Sequence, residues 1–348
     1  MNTREEIRQA YSEYQSGAMG RLAYAGNVVI AAFATSKTMG RRLKLRSRTV
    51  IAALTILGGL LLFAILGALL LPAYRQRELV RRLELYGAAV YYPSADNPSR
   101  RNTHIPKQVW NLMGRDFWEE PFAVGGPGGF VSLDDDSATT LSQLPSIGCI
   151  YLRTPLDENS IKRLRQLRHL SSIFLNGNVA ADDVAKLSAL SGITNLVIYP
   201  SIVTAKHGVE LARLNKLRDL AIFESEIDPA VFQALSQLPA LENLRLTGSS
   251  VSALGFATVG SLTQLKLLYA DQTGANDESL KLIAKLSNLQ DLWLNDSALT
   301  DESLVSFAKL SRLENLILEN TSISQDGVEQ LRRMLPQCRV IFRASGDR

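Results

Sequence analysis

The sequence predicts an α/β solenoid, with parallel strands on a concave face and short helices on a convex face, preceded by a single transmembrane helix. Three observations predict it. A leucine pattern recurs with a period of 24 residues; a two-residue alternation of leucines inside each recurrence reads as a short strand; and an uncharged run of 23 residues lies ahead of the array.

The pattern is plainest in 286–299, where leucine stands at Leu286, Leu289, Leu292, Leu294 and Leu299, and it returns as Leu310, Leu313, Leu316, Leu318 and Ile323. Its first leucine reappears upstream as Leu262, Leu238, Leu214, Leu190, Leu167 and Leu144, with one step counted as shortened by a residue. Leu292-x-Leu294 is the period of a strand with one buried face. Leu304, Phe307 and Ala308 lie on one face of a short helix that Thr300 or Asp301 can cap. One such strand and helix bury too little surface alone, so copies must stack into a common core. On this reading Leu292→Asp is disruptive and Asn295→Asp is nearly silent.

Taken in order, residues 1–48 form a basic tail, with nine Lys or Arg against three acids. Residues 49–72 form the transmembrane helix: 49–71 carry no charge and, as a helix, reach about 34 Å, enough to cross a bilayer. The basic excess lies on the amino-terminal side. The positive-inside bias then puts the tail in the cytoplasm and the repeats outside the membrane.

Residues 73–129 form an amino-terminal cap. It contains an amphipathic helix from Arg75, a strand over Val90, Tyr91 and Tyr92, and a turn-rich aromatic stretch. The repeats occupy 130–330, with a first strand at Phe130 to Leu133 and about eight full units. A truncated unit, 331–342, closes the array, and 343–348 form a polar tail.

The whole-chain charge of +4 hides an acidic array, since 73–115 carry eight Lys or Arg against three acids but 116–348 carry 21 against 28. That argues against nucleic acid as a partner. Cys149 and Cys338 lie at opposite ends of the array and cannot bridge across a solenoid.

The segment order resembles bacterial membrane-anchored leucine-rich repeat proteins, through Arg75-Gln76-Arg77-Glu78, Val90-Tyr91-Tyr92, Asp116-Phe117-Trp118 and Leu335-Pro336-Gln337-Cys338. The repeats themselves are similar to the cysteine-containing variety. Ser225, Ser249, Ser297 and Pro155 replace its usual Thr, Asn or Cys, and a buried hydroxyl there can still bond backbone. The resemblance implies protein binding at a bacterial envelope and carries over no catalytic residues.

Nothing in the sequence assembles an enzyme. His104, His169 and His207 are dispersed; Gly125 to Gly129 lacks the ending of a phosphate loop; and Asp134, Asp135 and Asp136 lack the rest of a calcium loop. No cofactor or metal is expected. Binding is better supported, because strand positions between the leucines point from the concave face. Tyr151, Phe174, Tyr199 and Phe223 form one candidate partner-binding patch, and Tyr269 and Trp293, flanked by Asp271 and Asp291, form another. The same rings could instead serve only to pack against neighbours along the sheet. The function expected is a membrane-anchored interaction module or scaffold for a protein partner. A receptor subunit relaying binding through the tail and an envelope enzyme are the alternatives.

Overall fold

The computed structural model describes residues 48–85, 88–92, 121, 123–125, 135–144, 146–200 and 202–344. The expected tail at 1–47, most of the aromatic part of the cap, and the expected strand at Phe130 to Leu133 lie outside them. The chain divides into two units, 1–77 and 78–348.

In the first unit the described chain is helical. Helix α1 runs Arg48–Leu85 and contains Pro72. Along 49–71 Leu57, Leu60, Leu61 and Leu71 are exposed. Among the described residues no helix is long and apolar enough to cross a membrane. The expected span at 49–72 lies within α1.

The second unit is a leucine-rich repeat solenoid. Its strands, in chain order, are β1 Val90–Tyr91, β2 Ala123–Val124, β3 Cys149–Arg153, β4 Ser172–Asn176, β5 Asn195–Tyr199, β6 Ile202–Val203, β7 Asp219–Ile222, β8 Glu226–Ile227, β9 Asn243–Arg245, β10 Ser250–Val251, β11 Leu267–Tyr269, β12 Asp291–Trp293, β13 Asn315–Thr321 and β14 Arg339–Ala344. Eleven form one sheet in the order β1-β2-β3-β4-β5-β7-β9-β11-β12-β13-β14, and β10-β8-β6 form a small second sheet. From β2 onward the large sheet is parallel, and only β1 runs antiparallel to its neighbour.

Register fixes the repeat length. Cys149 stands beside Ser172 and Ser172 beside Asn195, two steps of 23 residues, and from Asn195 to Arg339 every step is 24. The leucine count allowed for one short step; there are two. The edge of β3 away from β4 is taken by β2. Ala123 and Val124 are both fully covered there, as small and branched residues suit a narrow entry to the core. At the other end, β14 continues to Ala344, two residues into the stretch expected as tail.

The leucines do what the period requires. Leu268, Leu292 and Leu316 stand in register, each wholly buried, and Leu294 and Leu318 repeat this two residues on. Short helices cover the other side of the core, and Phe232, Phe256 and Phe307 are its largest fully buried side chains. Six of the described helix starts carry a side-chain cap. Asp157, Asp228, Ser252, Asn276, Thr300 and Ser324 each accept a hydrogen bond from a backbone N–H of the first turn.

Between strands and helices the buried serine hydroxyls bond backbone, as expected. The Ser225 hydroxyl donates to the Pro200 and Phe223 carbonyls, Ser249 to Ile222, and Ser297 to Leu294. All three are buried.

Candidate functional site

The open face of the large sheet, opposite the core, is the face expected to be concave. Because strand side chains alternate, each strand sends one residue between its two buried leucine-type positions onto this face. Register lines these residues into one column: Tyr151, Phe174, Val197, Ala221, Arg245, Tyr269, Trp293, Ile317 and Ile341. A second column, two residues on, holds Arg153, Asn176 and Tyr199, with Phe223 following in the next repeat.

The first candidate patch resolves into two stacks in different columns. Tyr151 and Phe174 stack with ring centroids 4.3 Å apart and planes 21° apart. Tyr199 and Phe223 lie 5.2 Å apart at 37°. Val197 and Ala221 occupy the Tyr151 column beside the second pair, so the four rings do not form one continuous row. The cap adds a ring the sequence reading left out: Tyr91 on β1 is 6.1 Å from Tyr151. No local pattern announces it, because its place depends on β2 pairing with both β1 and β3.

The second patch is tighter. Tyr269 and Trp293 stack at 3.9 Å and 19°. The Arg245 guanidinium lies 5.3 Å from the centroid of the Tyr269 ring and 3.3 Å from the Asp219 carboxylate, which also accepts from the Asn243 amide at 2.7 Å. The leucine spacing sets Arg245, between Leu244 and Leu246, at the same place in its repeat as Tyr269. A cation two rungs from an indole on one column was the available signal.

The two flanking acids differ. Asp271 is buried and accepts from the Asn295 N–H at 2.8 Å and from the Thr247 hydroxyl at 3.4 Å. Burial pushes its carboxyl above the ordinary value, against those hydrogen bonds. Asp291 is half-buried and holds the Asn315 amide at 2.7 Å. Asn295 in turn accepts from the Glu319 N–H at 2.7 Å. Its exchange for Asp is therefore not silent, because it sets a second carboxylate beside buried Asp271.

Chemically this face offers neutral hydrogen-bonding phenols and ring surface. Burial raises Tyr151 to about 12 and also raises Tyr199 and Tyr269, so all three keep their protons near neutrality. Cys149 on the same face is pushed up to about 12 by burial, which makes it a poor nucleophile. Cys149 and Cys338 are both free thiols.

His207 is buried; its Nδ1 accepts from the Thr204 N–H at 3.2 Å, and its Nε2 donates to the Val179 carbonyl at 2.9 Å. It also lines a shallow groove with Asp182 and Lys206, which pair at 2.8 Å. His169 is exposed, His104 lies outside the described residues, and Asp135 opens the helix Asp135–Ser142. Of the glycine run only Gly125 is described, and its N–H donates to the Ala89 carbonyl. Among the described residues no group of three or more His, Cys, Asp or Glu could hold a metal ion.

No family model matches the chain, and no curated protein matches it. Among solved structures it is similar to an internalin from Listeria monocytogenes, at 19% identity over 65% of this chain and 61% of that one, with a TM-score of 0.44. A leucine-rich repeat protein of Leptospira interrogans matches at 23% identity over 58% of this chain and 50% of that one, TM-score 0.41. A second Listeria internalin matches at 19% over 60% and 84%, TM-score 0.42. The chain thus spans less than two thirds of the first two. At these scores the fold rests on the strand register described above.

Proposed function

We propose that this chain is a protein-interaction module that presents the open face of its sheet to a partner protein and is tied to a bilayer by helix α1. One observation carries the first part. Six aromatic rings, paired within 3.9–5.2 Å, stand on the sheet face opposite the core, and Tyr199 is 39% exposed. Rigid rings of this kind give a partner large contact area at little entropic cost. Stacking alone accounts for their mutual contact but not for their concentration on the face left open.

The membrane part is supported by the uncharged run at 49–71, by its helical backbone, and by exposed Leu57, Leu60, Leu61 and Leu71. The basic excess amino-terminal to that run supports an orientation with the repeats outside the cytoplasm.

Photo-crosslinking tests the module. A photoreactive residue at Phe174 or Trp293 is expected to capture a protein that the same group at exposed Val209, on a helix, does not. Equal capture at all three positions contradicts the reading. Extraction tests the anchor: the chain should stay in the membrane pellet through high salt and alkaline carbonate and leave it only with detergent.

A further inference from the structure

The Tyr269–Trp293 stack is closed by a cation at one end only. At the Tyr269 end Arg245 lies over the ring, held by Asp219 from the column two residues earlier in the chain. At the Trp293 end the next rung is Ile317, whose side chain is shorter than an indole, and Trp293 itself is only half-buried. Around this face stand Asp291, two residues before Trp293 on the same side of its strand, and Glu319, two residues after Ile317. Both are half-buried, and among the described residues neither has a basic group within ion-pair distance.

The Trp293 end therefore repeats the parts of the Arg245 arrangement without its cation: a half-buried ring and a carboxylate from the preceding column. The two ends also have the same chemical logic. A guanidinium or ammonium over an indole, with a carboxylate at its side, gains from the ring quadrupole and from charge pairing together. Arg339 and Arg343 follow on β14, in register beside Asn315 and Glu319, and set the carboxy-terminal limit of this acidic stretch.

We propose that the Trp293 end of the stack is a subsite for an arginine or lysine side chain of the partner, seated over the indole between Asp291 and Glu319. The proposal rests on the open-face reading above and specifies its partner as a basic segment. It also gives the acidic balance of the array a use, since a basic segment is steered toward it at low ionic strength.

The test uses the full chain in detergent micelles and two labelled heptapeptides, alternating glycine with arginine or with glutamate, followed by fluorescence anisotropy. The arginine peptide should bind and the glutamate peptide should not. Trp293→Ala, Asp291→Asn and Glu319→Gln should each weaken binding about five-fold or more. The two carboxamide variants keep an acceptor and the side-chain shape, so they remain informative if Trp293→Ala misfolds. Lys309→Ala, on an exposed helix end, serves as the control and should change nothing.

Equal binding of both peptides, or arginine-peptide binding that survives both carboxamide variants, overturns the subsite. If Phe174→Ala abolishes that binding while Asp291→Asn and Glu319→Gln leave it intact, the open face still binds and only the subsite falls. If Lys309→Ala weakens it as much as the open-face variants do, both readings fall.

Discussion

Thr321 and Thr273 occupy equivalent places one strand-turn beyond their buried leucines, two repeats apart, and the same substitution should act in opposite directions on them. Both are buried, at 4% and 2% exposure. The Thr273 hydroxyl donates to the Ala270 carbonyl at 2.7 Å, whereas the Thr321 hydroxyl is enclosed with no hydrogen-bond partner. Valine has nearly the shape of threonine and removes only the hydroxyl. At Thr273 the change loses a hydrogen bond and strands a buried carbonyl, which costs about 1–3 kcal/mol. At Thr321 it removes a desolvated polar group that gains nothing in return, and stability should rise by about 1 kcal/mol. Urea unfolding of the detergent-solubilised chain, followed by far-ultraviolet circular dichroism, reads both as shifts in midpoint. The expected order is Thr321→Val above the parent and Thr273→Val below it. A loss of stability in Thr321→Val would show that its hydroxyl is bonded, and the reasoning from enclosure would fail.

Further outcomes follow from other positions. Leu292→Ala, at a fully buried rung between Leu268 and Leu316, should cost about 3–5 kcal/mol in the same urea assay, and Leu292→Asp should prevent a folded array. Gly260→Ala should destabilise as well, because a Cβ there would stand 2.3 Å from the Leu282 carbonyl oxygen; thermal melting reads it. Two carboxylates predict opposite pH dependence. Asp271 is raised by burial, so the folded state holds its proton more firmly than the unfolded one. Its contribution to stability declines as pH climbs from the unfolded pKa through the higher folded one. Asp271→Asn should therefore raise the melting temperature near neutrality and lose that advantage below about pH 4. For Asp277, burial pushes upward, but bonds from the Ser303 hydroxyl and from the Thr300 N–H and hydroxyl outweigh it and hold the carboxyl low. Its stabilisation is complete above the unfolded pKa and fades as pH falls through the lower folded one, so Asp277→Asn should cost most near neutrality.

The solenoid was legible because its information is local and repeated. Each leucine states which side faces the core, and the period states which residues share a column, so Tyr269 and Trp293 could be paired from spacing alone. The cap was not legible in that way. A two-residue strand such as Ala123–Val124 carries no period, and its role comes from a distant edge of β3 that only the folded chain supplies. For the same reason Tyr91 escaped the site. The two short repeats were legible too: Leu190, Leu167 and Leu144 stand 23 residues apart, so the count of one short step miscounted what the sequence states. Asn295 shows where spacing misleads: its column reads as exposed, yet its side chain holds the Glu319 backbone while Asp271 holds its own.

The single column from Tyr151 to Ile341 also limits the shape of whatever lies along it. Neighbouring strands are spaced by about 4.8 Å, whereas an α-helix advances about 5.4 Å per turn. A ligand helix set parallel to the column would slip by roughly 0.6 Å at each rung. Across the eight steps between those two residues the lag grows to nearly a whole rung. A straight helix can then match one end of the column or the other, whereas a ligand that contacts both ends must bend or break its regular winding in between.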